Sequence, residues 1–284
     1  MIYVNEIVYD NFGKCIKLEN DKYELIISIE FGPRILSFKS KQIGDNILKN
    51  DIKISKKVLG DNWNLIGGHR FWHGPEKIPD SYIPDNSYVD YNIIENGIIF
   101  NSEEEKYTKL EKKLEITFTN NKVKLKHILI NRGIKIREAC CWGITVLKAN
   151  GYAKIKDNKD CCGLNASKHI SFWPYSNIGD SRICFLKNQI AINVNLKDNT
   201  PLKIGFNGFN NEIEYCTDKL VFIKSMDVLS GVYPDHNSPF QIYTKGNYIE
   251  LETLSPIISI NKDESIEHIE YWEIKGVNNG SNYS

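Results

Sequence analysis

KLEITFTNNKVKLKHILINRG, residues 113–133, reads as a β-hairpin. Leu114, Ile116 and Phe118 alternate with polar residues, and Val123, Leu125, His127 and Leu129 share a second face. A period of two puts each set on one side of a half-buried strand. Asn120-Asn121 separates the runs and tolerates the positive φ angles of a tight hairpin turn. His127 stands on the apolar side, so it reads as a satisfied core or edge histidine rather than a catalyst.

The same pattern extends outward along the chain. YELIISIEF, RILSF, NIIENGIIF, RICFL, QIAINVNL, LKIGFN, LVFIKSM, FQIYT, YIELETL and HIEYWEI are short runs bounded by turn residues. Long helical periodicity is absent, as are repeats and heptads. The expectation is an all-β fold, a large antiparallel β-sandwich. One domain over 1–276 accommodates the strands, followed by a polar tail at 277–284.

Composition narrows the function class. Lys plus Arg and Asp plus Glu are both 36 in 284 residues, which argues against a nucleic-acid partner. No apolar run approaches a membrane span. Glu6 and Asp10 interrupt the N-terminal stretch where a signal peptide would be apolar, so a cytoplasmic setting is expected. Seven cysteines, four of them in the adjacent pairs Cys140-Cys141 and Cys161-Cys162, lack C-x-x-C spacing. They read as packed free thiols, with no metal or cofactor called for.

Three stretches carry candidate chemistry. GGHRFWHGPE, residues 67–76, reads as part of a long loop between 56 and 92. It offers His69 and His73 as titrating groups, Arg70 and Glu76 as polar ligands, and Trp72 as a flat apolar face. The competing reading is a structural corner, with Arg70 paired to Glu76 or Asp85. SFWPYSNIGDSR, residues 171–182, offers Trp173, Tyr175 and Arg182, either as a stacking wall or as a rigid turn. The third stretch, residues 233–256, holds Asp235 and His236 in a turn, followed by YIELETL. Parity sets Ile249, Leu251 and Thr253 on one face and Tyr248, Glu250 and Glu252 on the other. Lys224 is a lone charge on the face of Phe222 and Met226 and needs a partner or an open cleft.

With these residues in view, the chain resembles the galactose mutarotase-like (aldose 1-epimerase) superfamily. IEFGPRILSF, residues 29–38, is similar to an early strand of that superfamily. Residues 240–274, FQIYTKGNYIELETLSPIISINKDESIEHIEYWEI, are similar to its C-terminal block. GGHRFWHGPE, SYIPDN and SFWPYSNIGDSR resemble an uncharacterised bacterial branch. The resemblance implies a supersandwich that binds a monosaccharide or sugar derivative, a small-molecule carbohydrate partner, on a concave sheet face. It implies aldose 1-epimerase chemistry with Glu252 as the base of the Leu-Glu-Thr strand. The family's acid histidine has no counterpart in CCWGIT, residues 140–145, so either the acid has moved, to His69 or His73, or the chain does not epimerise aldoses. Arg70, Glu76, Arg182, Lys224, Asp235 and His236 would hold substituents, and Trp72, Trp173 and Tyr175 would stack on the ring. A non-catalytic carbohydrate-binding protein is the rival reading, and the same fold turned to another metabolite is a third. The oligomeric state is not legible.

Overall fold

The structure, a computed structural model, describes residues 1–158 and 163–277. Cys161 and Cys162, and all but the first residue of the expected tail, lie outside the described residues. Two large antiparallel sheets face each other. The first runs Tyr3–Val8, Lys14–Glu19, Tyr23–Ser28, Arg34–Ser40, His69–Gly74, Arg137–Lys148, Tyr248–Leu254, Phe240–Lys245, Leu202–Asn207, His169–Phe172. Ile258–Ile260 adds to it on Arg137–Lys148. The second runs Ile183–Leu186, Gln189–Asn193, Tyr152–Asp157, Phe209–Cys216, Leu220–Met226, Ser265–Gly276, Lys122–Asn131, Leu110–Thr119, Gly97–Asn101, Asp90–Ile94. Among the described residues no helix is long and apolar enough to cross a membrane.

The hairpin at 113–133 forms where its alternation places it. Thr119 pairs with Lys122 across a turn in which Asn120 and Asn121 have φ of 42° and 67°. Leu114, Ile116, Val123 and Leu125 are fully buried between the sheets. Phe38 from the first sheet meets Phe222 and Trp272 from the second, with ring centroids 6.0 and 5.3 Å away. Such pairs add roughly 0.5–1.5 kcal/mol each beyond their buried area.

The segment 67–76 departs from expectation. It is not a loop: His69–Gly74 is a central strand of the first sheet, paired with Arg137–Lys148 and Arg34–Ser40. All six of its residues are buried. A strand covered on both faces loses the polar–apolar alternation that identifies strands from sequence. The glycines before it shape its entry. Gly68 has φ of 70°, and a Cβ there would stand 2.3 Å from the Ile35 carbonyl oxygen.

Candidate active site

Strand parity decides what faces what. On Tyr248–Leu254, Ile249 and Leu251 point into the core between the sheets. Tyr248, Glu250 and Glu252 point the other way, into a cleft of about 380 Å³ on the outer face of the first sheet. The register carries that face across neighbouring strands. Ile144 pairs with both Glu252 and Arg70, and Trp142 pairs with Trp72. Tyr243 pairs with Glu250 and Lys203. Trp63 comes from the segment between the fourth and fifth strands of this sheet, and Tyr82 from the segment that follows the fifth. Trp173, Tyr175 and Glu76 complete the walls.

Glu252 is 1% exposed at the cleft floor. The Trp142 indole Nε1–H donates to its Oε2 at 2.9 Å, and the Lys203 ammonium donates to the same oxygen at 2.8 Å. Lys203 is itself held between two rings, 4.7 Å from the centroids of Trp142 and Trp173. Burial pushes the Glu252 carboxyl up, and Lys203 pulls against it, leaving it above its ordinary value. Arg70 lies over the Trp72 ring at 3.7 Å and over Trp63 at 5.1 Å. Its Nε and Nη1 have no hydrogen-bond partner among the described residues. Burial, and then Arg34, pull the Arg70 guanidinium down to about 10. Asp85 pairs with Arg34, and Glu76 accepts from the Tyr82 hydroxyl; neither carboxylate forms a contact ion pair with Arg70, although the Asp85 charge still favours its charged form.

The cleft therefore gathers Arg70, Trp72, Glu76, Trp173, Tyr175 and Glu252. The remaining sequence candidates lie elsewhere. His69 sits on the core side of its strand with no exposed surface. Its neighbours fix its tautomer. The His268 carbonyl only accepts, so His127 donates to it from Nδ1. Burial pulls His127 down to about 4, which keeps it neutral at neutral pH, and its Nε2 accepts from His69 Nε2–H at 2.9 Å. His69 Nδ1 then accepts from the Thr145 hydroxyl at 2.9 Å. Every polar atom of His69 is committed on the wrong side of the sheet for an acid opposite Glu252.

His73 shares the His69 side, 5% exposed. It borders a separate cavity of about 640 Å³ with Lys77, Asp80 and Arg137. Burial, then Lys112, pull its imidazole down to about 4. Lys224 does not reach the cleft. It lies fully buried in the core, donating to the Gly143 carbonyl, the Thr145 hydroxyl and the Leu251 carbonyl, with Glu270 at 3.1 Å. Arg182 is 2% exposed and spent on Asp180 and the Thr200 carbonyl. Asp235 accepts from Gln241 Nε2 at 2.8 Å, and exposed His236 lies in the same one-turn helix, outside the cleft lining.

Metal-ligating types meet at His69, His127 and Glu270, whose ligand atoms lie within 4.8 Å of one another. Lys224 already supplies the cation at Glu270 Oε1, Thr253 also donates to that oxygen, and Trp272 Nε1–H donates to Oε2 at 3.0 Å. The chemistry of this group is that of a closed core network.

The fold is galactose mutarotase-like. A putative aldose 1-epimerase from Escherichia coli K12 superposes with a TM-score of 0.59 at 9% identity, over 98% of this chain and 100% of that one. A galactose mutarotase-like protein from Clostridium acetobutylicum gives 0.58 at 12%, over 97% and 99%. Galactose 1-epimerase from Lactobacillus acidophilus NCFM gives 0.56 at 13%, over 98% and 100%. A TPR-domain containing protein from Parabacteroides distasonis gives 0.61 at 15%, and this chain spans about half its length, 47%. A scan against family models finds no match, and a search of curated proteins finds none. Within the galactose mutarotase-like fold, sequence reasoning missed Lys203, Trp142, Tyr243 and Trp63. Parity in LKIGFN was the available signal for Lys203, since Leu202, Ile204 and Phe206 are the core side.

Proposed function

We propose that the cleft binds a monosaccharide or sugar derivative and that Glu252 opens its ring as a base, interconverting the anomers. The observation that carries this reading is the setting of Glu252: a buried carboxylate anchored through one oxygen, under a cage of aromatic rings. Aromatic faces suit the C–H side of a sugar, and a positioned carboxylate suits proton removal from the anomeric hydroxyl. Arg70 and Lys203 supply donors to hydroxyl, carboxylate or phosphate substituents. The chemistry draws on protein groups and requires no cofactor. The five described cysteines are free thiols, which suits the cytoplasm.

The test is exchange NMR or polarimetry on freshly dissolved α-anomers of aldoses and phosphorylated aldoses. Acceleration over buffer, abolished by Glu252→Gln, is the expected result; buffer rates for every sugar that binds sink the reading. A second reading, carbohydrate binding without turnover, is favoured by the histidine-free lining of the cleft among the described residues. It predicts saturable binding by calorimetry with no turnover.

A further inference from the structure

Two carboxylates, not one, sit on the cleft floor. Glu250 and Glu252 are two residues apart on one strand, so both project from the same face, with Cα atoms roughly 6.5–7 Å apart. Their surroundings differ. Glu252 Oε2 receives two hydrogen bonds. Glu250 is 8% exposed and, among the described residues, receives no hydrogen bond and no ion pair within contact distance. A buried carboxylate with no donor is costly, and a protonated carboxyl in the same place costs far less.

Resting on the ring-opening reading above, we propose that Glu250 is the proton donor of the cleft, the acid that works with Glu252. The Glu252 carboxylate takes the proton from the anomeric hydroxyl, and the O–H electron pair becomes the C1=O bond. The C1–ring-oxygen bond breaks toward the ring oxygen, which takes its proton from Glu250. After rotation about the C1–C2 bond, the same transfers run backward on the other face of the aldehyde. Glu250 regains its proton and Glu252 returns its own.

The placement on one strand suits this reaction. The anomeric oxygen and the ring oxygen are both bonded to C1, so an acid and a base on one side of the sugar can reach both. Glycoside hydrolysis makes the opposite demand, with carboxyls flanking a bond. Arg70 attracts the Glu250 charge from the neighbouring part of the sheet and stabilises the carboxylate left after proton transfer.

The groups facing Glu250 determine its titration. Glu252 lies on its own strand; Arg70 comes from His69–Gly74, Lys203 from Leu202–Asn207, Tyr243 and Lys245 from Phe240–Lys245. Tyr248, Tyr82, Tyr175 and Glu76 close the cleft around it. Burial, then the Glu252 charge, push the Glu250 carboxyl up to about 7, against Arg70 and Lys203. The two titrate as a pair that carries one proton in its working state. Exchange then falls as pH rises through about 7, where Glu250 ionises, and falls on the acid side as Glu252 protonates.

The experiment measures sugar binding by calorimetry and anomer exchange from about pH 5 to about pH 9, in wild type, Glu250→Gln and Glu250→Asp. Glu250→Gln is expected to bind sugar, to lose roughly 10²–10⁴-fold in exchange rate, and to lose the alkaline limb. Glu250→Asp is expected to retain a limb, displaced in pH. A Glu250→Gln protein with the wild-type rate and limb overturns the proposal. A wild type that binds sugar without exchange instead sinks the ring-opening reading. For that case infrared spectroscopy decides separately. A carboxyl C=O band that ionises near about pH 7 and is missing from Glu250→Gln keeps the proton on Glu250. The same band persisting in Glu250→Gln, or no such band in wild type, removes it.

Discussion

Lys224→Met tests whether this lysine serves the core or the cleft. Lys224 has no exposed surface and makes three hydrogen bonds plus the contact with Glu270 Oε1 at 3.1 Å. Burial pushes the Glu270 carboxyl up, but Lys224 first and then the His268 hydrogen bond pull against it, and it is held well below its ordinary value. Removing one partner of a buried ion pair costs about 3–5 kcal/mol. For a chain of this length that is a fall in Tm of roughly 6–10 °C. The pH dependence has a definite sign. In wild type the depressed Glu270 gives stability above its unfolded pKa that is lost as pH falls. Without Lys224 the largest pull on Glu270 is gone and its folded pKa rises relative to wild type. The variant is then relatively better off in acid and loses more as pH rises. Denaturant titrations of wild type, Lys224→Met, Glu270→Gln and the double variant read this directly. The double variant should lose less than the two singles added, by about 0.5–3 kcal/mol. A Lys224→Met protein within about 1 kcal/mol of wild type at neutral pH would refute the core assignment.

Further outcomes follow from the same geometry. Lys203→Met removes the ammonium from Glu252 Oε2, so the acid limb of the exchange profile should move to higher pH; an unmoved limb argues against the pairing. Gly143→Ala places a Cβ 2.0 Å from Glu270 Oε1, and denaturation should show a loss of about 1–3 kcal/mol. His73→Gln changes a residue on the far side of the sheet from Glu252 and should leave exchange at the wild-type rate. His73 and His127 are both held near 4 by burial, below their unfolded value. Their contribution is therefore present above about pH 6.5 and lost toward pH 4, and wild-type urea midpoints should fall across that window.

How far the site was legible depends on whether a strand has one wet face. YIELETL alternates cleanly, so the side of Glu250 and Glu252 follows from Ile249 and Leu251 alone. HRFWHG does not alternate, because Arg70 and Trp72 are buried in the cleft wall while His69, Phe71 and His73 are buried on the other side. Its composition suggested a loop, and its two histidines suggested an acid. The pairing with Arg137–Lys148 separates Arg70 from His69 by the sheet itself.

The two buried lysines show what parity alone settles and what it leaves to tertiary structure. Both are lone charges in apolar strands. In LVFIKSM, Lys224 shares a face with Phe222 and Met226, which are 0% and 2% exposed, so parity already assigns it to the core. In LKIGFN, Lys203 falls opposite Leu202, Ile204 and Phe206, so parity assigns it away from the core. The partners could not be read in this way. Glu270 and Glu252 lie 46 and 49 residues from their lysines, and only the register of two separate sheets brings each pair together. A lone lysine in a strand thus signals a buried carboxylate somewhere on the same face. Which face it is decides whether the pair holds the core together or sets the charge of a cleft.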